Sequence, residues 1–322
     1  MRRRSFMARC SAALALAGPL AQAGAQTYPV RPIQLFVALG PGGAGDLVAR
    51  MLAKKMGESM GQPVVVENRP SPVVAVATVA KAKPDGYTMM MAGSGTALSS
   101  SLFKSLPYDL MADFIHVSTM ASFDLALVTG SQSSFNSVAD VLAYAKANPG
   151  KLNIGTIRIG STQHLSAEMF KSMAGIDVVV VPYKTTPDVV TALRANDVQV
   201  AMEILSPVLG QIKGKNIKAL AVTSTHRFPG LPDVPTVAES GVPGFEASSW
   251  NGISVPARTP AEIVARLGKE VQAAISSPEV LAELQAMGIV ASPSTSEQMS
   301  LRMKRDMAKW QGVIHKAGIP RQ

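Results

Sequence analysis

The chain has a single cysteine, Cys10, and four histidines in 322 residues. One thiol cannot close an internal disulfide, and Cys10 falls in an N-terminal stretch that reads as a cleaved leader. Thiol and disulfide chemistry are therefore not expected in the remaining chain. His116, His164, His226 and His315 form no i, i+4 pair, and no cysteine stands near them, so neither a metal nor a cofactor is expected. Past the leader no segment reaches about 18 uninterrupted apolar residues, the length needed to cross a bilayer. Charged residues make up only 16%, and the basic ones are scattered without interleaved aromatics. That pattern gives no nucleic-acid footprint. There is also no Walker A motif.

The leader itself is well marked. "MRRRSFMARCSAALALAGPLAQAGAQ" has an arginine-rich start, a short apolar stretch broken by Pro19, and small residues at Ala21, Ala23 and Ala25. This is the layout of a signal peptide over residues 1–25, with cleavage after Ala23 or Ala25. Arg3-Arg4-Ser5-Phe6-Met7 resembles a twin-arginine export motif, and an arginine-rich general secretory signal fits the same residues. Cys10 follows Met7, Ala8 and Arg9, so it does not close a lipoprotein box. Arg2, Arg3, Arg4 and Arg9 leave with the leader and take four charges from the formal +9. The mild positive charge that remains suits an anionic small ligand.

The rest of the chain alternates strand and helix patterns. Residues 33–38 are an apolar strand, 46–60 have helical spacing, "PVVVEN" is a second strand, and "VVAVATVAKAK" is a helix. "TMMMAG" follows the turn "PDGY" as a third strand, with Met89, Met90 and Met91 as buried positions. Residues 113–130 break the rhythm as two extended runs. Ser137 then opens a helix, with Asp140 placed for a capping box, and "NPGK" ends it. A second set of alternations runs from "LNIGTI" to "IKALAVTS". "SSWNGISVP" is another extended crossing, and the tail is helical over 260–275, 278–287 and 296–317. Such alternation predicts an α/β fold with a mostly parallel sheet. Two sets joined by two crossings predict two α/β lobes: 26–127 with 250–322, and 128–249. Ligands in such folds bind between the lobes, outside the carboxyl ends of strands.

Four strand-end loops rich in Gly, Ser and Thr carry the candidate site. "GPGGAGD" supplies Gly42, Gly43, Ala44, Gly45 and Asp46 at the start of a helix. Gly40, Gly42 and Gly45 have the spacing of a dinucleotide loop, but Pro41 removes a donor where the pyrophosphate needs one. The alternatives are an anion cradle built from backbone N–H groups and a tight turn with no ligand. "AGSGT" carries Ser94 and Thr96, "GSTQHLSAE" is a second turn opening a helix, and "YKTTPD" follows another strand. Two polar loops in each lobe make a clamp that a single dinucleotide loop would not need.

"PIQLFVALGPGGAGDLVAR", "GQPVVVENRP", "KPDGYTMMMAGSGT", "LPYDLMADF", "AKANPGKLN", "HLSAEMF", "VPYK", "LAVTSTHRFPGLPDVPTVAESGVPGFEASSWNG" and "VPARTP" occur in that order. Together they resemble the Bug-type solute-binding receptors of tripartite tricarboxylate transporters, over the whole mature chain. The resemblance implies a bilobal type II periplasmic binding-protein fold with a two-strand hinge. It further implies a periplasmic monomer without enzyme activity that closes on a small organic carboxylate and partners membrane permease subunits. Residues carried over by the resemblance are Gly42 to Asp46, Ser94 and Thr96 in one lobe. In the other they are Thr156, Arg158, Gly160, Ser161, Thr162, Lys184, Thr185 and Glu203. The chain departs from the family pattern around the cleft. Ser71-Pro72-Val73-Val74 replaces a glycine-rich run, Leu39 an aromatic, and Thr185 a glycine. Ile157-Arg158-Ile159-Gly160 replaces Ser-Gly-x-Gly, and Glu203 replaces an aspartate.

Other readings remain open on sequence grounds. A ligand sensor reporting to a signalling partner would use the same cleft. A nucleotide-dependent or hydrolytic enzyme would use the glycine loop or Ser94, yet Gly93-Ser94-Gly95 lacks the spacing of a nucleophile elbow. A Ser94–His164 pair lacks an evident carboxylate orienter, and His164 also suits packing or capping in the first turn of its helix. Arg158 reads either as a solvated charge or as a bidentate clamp for a ligand carboxylate. Lys81, Lys83, Lys304, Arg305 and Lys309 read as solvated helix faces that a membrane partner could use.

Overall fold

The computed structural model describes residues 28–69 and 71–321. The leader, with Cys10 and its arginine pair, lies outside them. β1 (Ile33–Val37), α1 (Ala44–Met60), β2 (Val64–Asn68), α2 (Pro72–Ala80), β3 (Thr88–Gly93) and α3 (Ser94–Leu102) open the chain. In α1, Val48, Leu52, Met56 and Met60 repeat every four residues and are buried, and the helix stops at left-handed Gly61. The sequence shows no helical pattern for α3. Its serines disfavour helix interiors, but Thr96 caps the Gly93 amide at 2.8 Å and starts the turn.

β4 (Phe114–Gly130) is one continuous 17-residue strand, where two extended runs were expected. Its register shifts at His116/Ser118, Thr119/Ala121 and Leu127/Val128. Such irregularities bend a strand and raise its twist, so one strand can serve two sheet regions. Phe114 to Asp124 pair with β9 (Ser248–Pro256), and Leu125 to Gly130 pair with β7 (Val200–Ile204) and β8 (Ile217–Val222). The remaining elements between these are α4 (Val138–Ala147), β5 (Asn153–Ile157), α5 (Thr162–Ala174), β6 (Val179–Tyr183), α6 (Thr186–Ala195) and α7 (Leu205–Lys213). Ser137 caps α4 by accepting from the Asp140 amide, as its spacing predicts.

The strand order is β2-β1-β3-β9-β4-β7-β5-β6. β1 lies parallel to β2 and β3, and β5 parallel to β6 and β7, while β9 and β4 run antiparallel to their neighbours. The two parallel halves thus meet at the two crossing strands. The chain ends with α8 (Ala261–Ile275), α9 (Pro278–Ala286), a short β10 (Val290–Ala291) paired with β4, and α10 (Ser296–Lys316).

Helices α8 and α9 bury Leu267, Val271, Val280 and Leu284 in the core with Leu35 and Met89. Helix α10 lies across both halves. Met299 and Met303 join the core around Phe36 and Trp250, whereas Trp310 and Ile314 join the core around Leu165 and Phe170. Lys304 and Arg305 are exposed, as expected of a solvated face. Lys309 is not: it is partly covered, donates to the Glu246 carbonyl, and lies 5.0 Å from the centre of the Trp310 ring. Its long stem covers apolar surface while the ammonium reaches an acceptor.

Candidate functional site

The carboxyl ends of β1, β3, β5 and β7 open on one cleft between the two halves of the sheet, with a volume of about 400 Å³. Leu39 follows β1, Met91 and Gly93 end β3, Ile157 ends β5 and Ile204 ends β7. Phe123, Ser249 and Asn251 of the crossing strands line its back. A second groove of about 720 Å³ runs between α3 and α10, along Ser100, Ser101 and Met307, and no strand end opens into it.

Three helices present their first turns to the cleft. Ala44 and Gly45 begin α1, Gly95 and Thr96 begin α3, and Thr162 and Gln163 begin α5. The first amides of a helix have no partner within it and carry the positive end of its dipole. Gly43, which caps α1, supplies no side chain to cover them. The Ser161 hydroxyl caps α5 by accepting from the His164 amide, and so leaves the earlier amides of that turn unused. Among the described residues lining the cleft, Arg158 carries the one charged side chain, and it is exposed at the rim.

The expected residues divide unevenly. Ala44, Gly45, Thr96, Arg158, Gly160, Ser161 and Thr162 line the cleft. Gly42, Gly43 and Asp46 do not. Asp46 is buried and turns back into its own loop, where it accepts from the Gly42 amide at 2.9 Å, Arg50 Nε at 2.9 Å and Asn68 Nδ2 at 2.7 Å. Burial pushes its carboxyl up, but the bonds from Arg50, Asn68 and Gly42 outweigh that and hold it below the usual carboxylate range. The Gly42 amide is therefore engaged inside the protein, at a backbone φ of +84° that suits glycine. The point of close approach is Gly45: a Cβ there would lie 2.7 Å from Asn251 Nδ2 and 2.8 Å from Leu39 Cδ1. A Cβ on Gly43 would meet nothing within 4 Å.

Ser94 is buried, and its hydroxyl accepts from the Trp250 amide at 3.0 Å, which ties α3 to β9. Burial holds the His164 imidazole below its ordinary range, and its Nδ1 has no hydrogen-bond partner. The two side chains are not hydrogen-bonded to each other, so the serine–histidine arrangement is not formed. The Thr185 hydroxyl bonds Asp188 as the cap of α6 and, like Lys184, lies outside the cleft. Thr156 is fully buried beneath the cleft with its hydroxyl unpartnered. Glu203 is also fully buried, one layer behind Gln163, which donates to it at 3.5 Å, while Thr186 donates at 3.0 Å. Its Oε1 has no partner, and burial pushes its carboxyl up to about 7.

Sequence reasoning placed Ile157 and Ile159 at the cleft but missed the rest of its apolar wall, namely Met91, Leu98, Leu102 and Phe123, and the polar Gln163 and Asn251. Loop composition directs attention to polar residues, whereas these apolar ones sit where helices and strands face across the gap.

The matching family model is the tripartite tricarboxylate transporter family receptor, over residues 48–319. Protein BugT of Bordetella pertussis is 35% identical over 309 residues, covering 95% of each chain. Among solved structures, Rhodopseudomonas palustris Rpa4515 with adipate is 33% identical, with a TM-score of 0.79, covering 91% of this chain and 99% of that one. MatC from the same species, with bound malate, is 27% identical, with a TM-score of 0.74, covering 89% and 100%. The fold is thus the bilobal α/β fold of these binding proteins, and the family consists of receptors and not enzymes. The chain belongs to the tripartite tricarboxylate transporter receptor family.

Proposed function

We propose that the protein captures an organic carboxylate in the periplasm, between lobes hinged at β4 and β9, and delivers it to the permease subunits of a tripartite transporter. The observation that carries this reading is the convergence of three helix N-termini on one cleft, with no acidic side chain among the described residues of its wall. Each helix end contributes about 0.3–1 kcal/mol towards an anion, and each charge-assisted hydrogen bond about 1.5–3 kcal/mol. Nucleotide binding fits the same cleft poorly, because Asp46 already takes the Gly42 amide that a pyrophosphate loop would need. The adipate and malate held by two relatives support an acid as ligand.

Thermal-shift screening of the leader-free protein tests the reading. Organic acids at 100 times their Kd stabilise by about 2.7 kcal/mol, whereas NAD and ATP leave the transition unchanged. Stabilisation by a nucleotide and by no acid refutes it.

A further inference from the structure

Within that reading, we infer that the acid carries an apolar body, an aliphatic chain or an aromatic ring, in preference to several hydroxyl or carboxyl groups. Two independent features of the cleft lead there.

The first is how its side-chain polarity is spent. The Thr96 hydroxyl donates to the Gly93 carbonyl and accepts from the Gly93 amide. Ser99 donates to the Gly95 carbonyl at 2.9 Å, and Ser161 to the Ile157 carbonyl at 2.9 Å. Gln163 turns its amide towards Glu203. These side chains line the cleft, yet their hydroxyl protons, and one amide N–H of Gln163, are directed to the protein's own backbone and to Glu203. What remains for a ligand is backbone amides, which suit one anionic head, with Thr162, Ser249, Asn251, the rest of the Gln163 amide and the rim Arg158. A polyhydroxylated or tricarboxylic acid needs a partner for each polar group it buries, and an unmet one costs more than the contact returns.

The second is the wall. Leu39 and Ile159 stand on opposite lobes, line the same cleft, and are 43% and 60% exposed. Leu39 Cδ1 and Met91 Cε converge over Gly45 with Asn251, and Leu102 lies against Gly160 from across the gap. Apolar surface held open to water on both jaws gains by closing on apolar matter, at about fourfold in affinity per buried methylene.

The test is calorimetry on the leader-free protein with straight-chain monocarboxylates from propionate to octanoate, with benzoate and phenylacetate. Malate, tartrate and citrate serve as polar controls. Affinity is expected to rise about fourfold per methylene until the cavity is filled, and to exceed that for the three polar acids. Leu39→Ser and Ile159→Ser, both at exposed positions that tolerate substitution, should flatten that slope. A series independent of chain length, or malate and citrate binding more tightly than hexanoate and benzoate, overturns the inference and leaves carboxylate capture standing. Binding of no acid at all removes both.

Discussion

Trp250 donates its indole N–H to Asp306 at 2.6 Å, joining the crossing strand β9 to the last helix. Both residues are buried, and Arg302 of the same helix lies 4.9 Å from the centre of the indole ring. The same arginine reaches Ser122 on β4 and Ser248 on β9, so one helix holds both crossings. Asp306→Ala leaves a buried donor unpaired and is expected to cost about 1–3 kcal/mol. Asp306→Asn keeps an acceptor and should recover most of that. Urea unfolding followed by tryptophan fluorescence reads both.

Glu203 links stability to pH. Its folded carboxyl is raised by burial to about 7 from an ordinary value near 4.5, so the folded chain holds a proton that the unfolded chain has lost. The associated stability is fully present below about pH 4.5 and is lost as pH rises towards and through 7. The shift corresponds to about 3 kcal/mol at most. Glu203→Gln mimics the protonated form and should remove this part of the pH dependence. Unfolding of wild type and variant between pH 4.5 and 8 isolates it from Asp124 and Glu168, which burial raises in the same direction. Parallel curves for the two proteins would rule the linkage out.

Gly45 and Gly43 differ by two positions and should respond to different degrees. Gly45→Val drives a side chain against Asn251 and Leu39 on the cleft wall. It is expected to weaken acid binding by tenfold or more, with a folding cost of about 1–3 kcal/mol from overpacking. Gly43→Val meets no atom within 4 Å, so its folding cost is confined to the helix cap, where valine is worse than glycine by about 1 kcal/mol, and its loss of affinity should be smaller than that of Gly45→Val. Calorimetry of the pair against one acid decides which end of the loop meets the ligand.

Arg158 at the rim is expected to act on a second anionic group. Arg158→Gly should weaken binding of α,ω-diacids about tenfold, or 1.4 kcal/mol, and leave the matching monoacids within about twofold. A purely solvated charge predicts equal, small losses for both sets, which fade as salt is raised.

Much of the fold was legible because its strands are short apolar runs between turn signals. "TMMMAG" and "DVVVVPY" read as strands by their shortness and flanking turns, and the Ser137–Asp140 cap marks its helix by chemistry alone. The continuity of β4 was not legible, since register shifts are set by the partners on either side and leave no mark on composition. The site was half legible. The loops were found, but an aspartate or serine beside a cleft looks the same in sequence whether it faces a ligand or its own backbone. Asp46 and Ser94 turn inward and Thr185 caps its own helix at the surface, because each has a nearer unpaired amide or side chain to satisfy. Glu203 is hidden for the opposite reason: nothing in "VQVAMEI" shows that its carboxylate is sealed behind Gln163.

The bonds that Asp46 makes to Gly42, Arg50 and Asn68 have a consequence for how this receptor changes over generations. They shape the first-lobe loop during folding, so its ordering cost of about 0.5–1.5 kcal/mol per immobilised group is met before any ligand arrives. Residues 158 and 159 on the other jaw, by contrast, stand exposed. The receptor thus has one jaw whose shape is inherited with the fold and one whose side chains can be exchanged without disturbing it. New ligand preferences can accumulate at Arg158 and Ile159 by single substitutions, while a change at Asp46 would have to be matched at Arg50 and Asn68 at the same time.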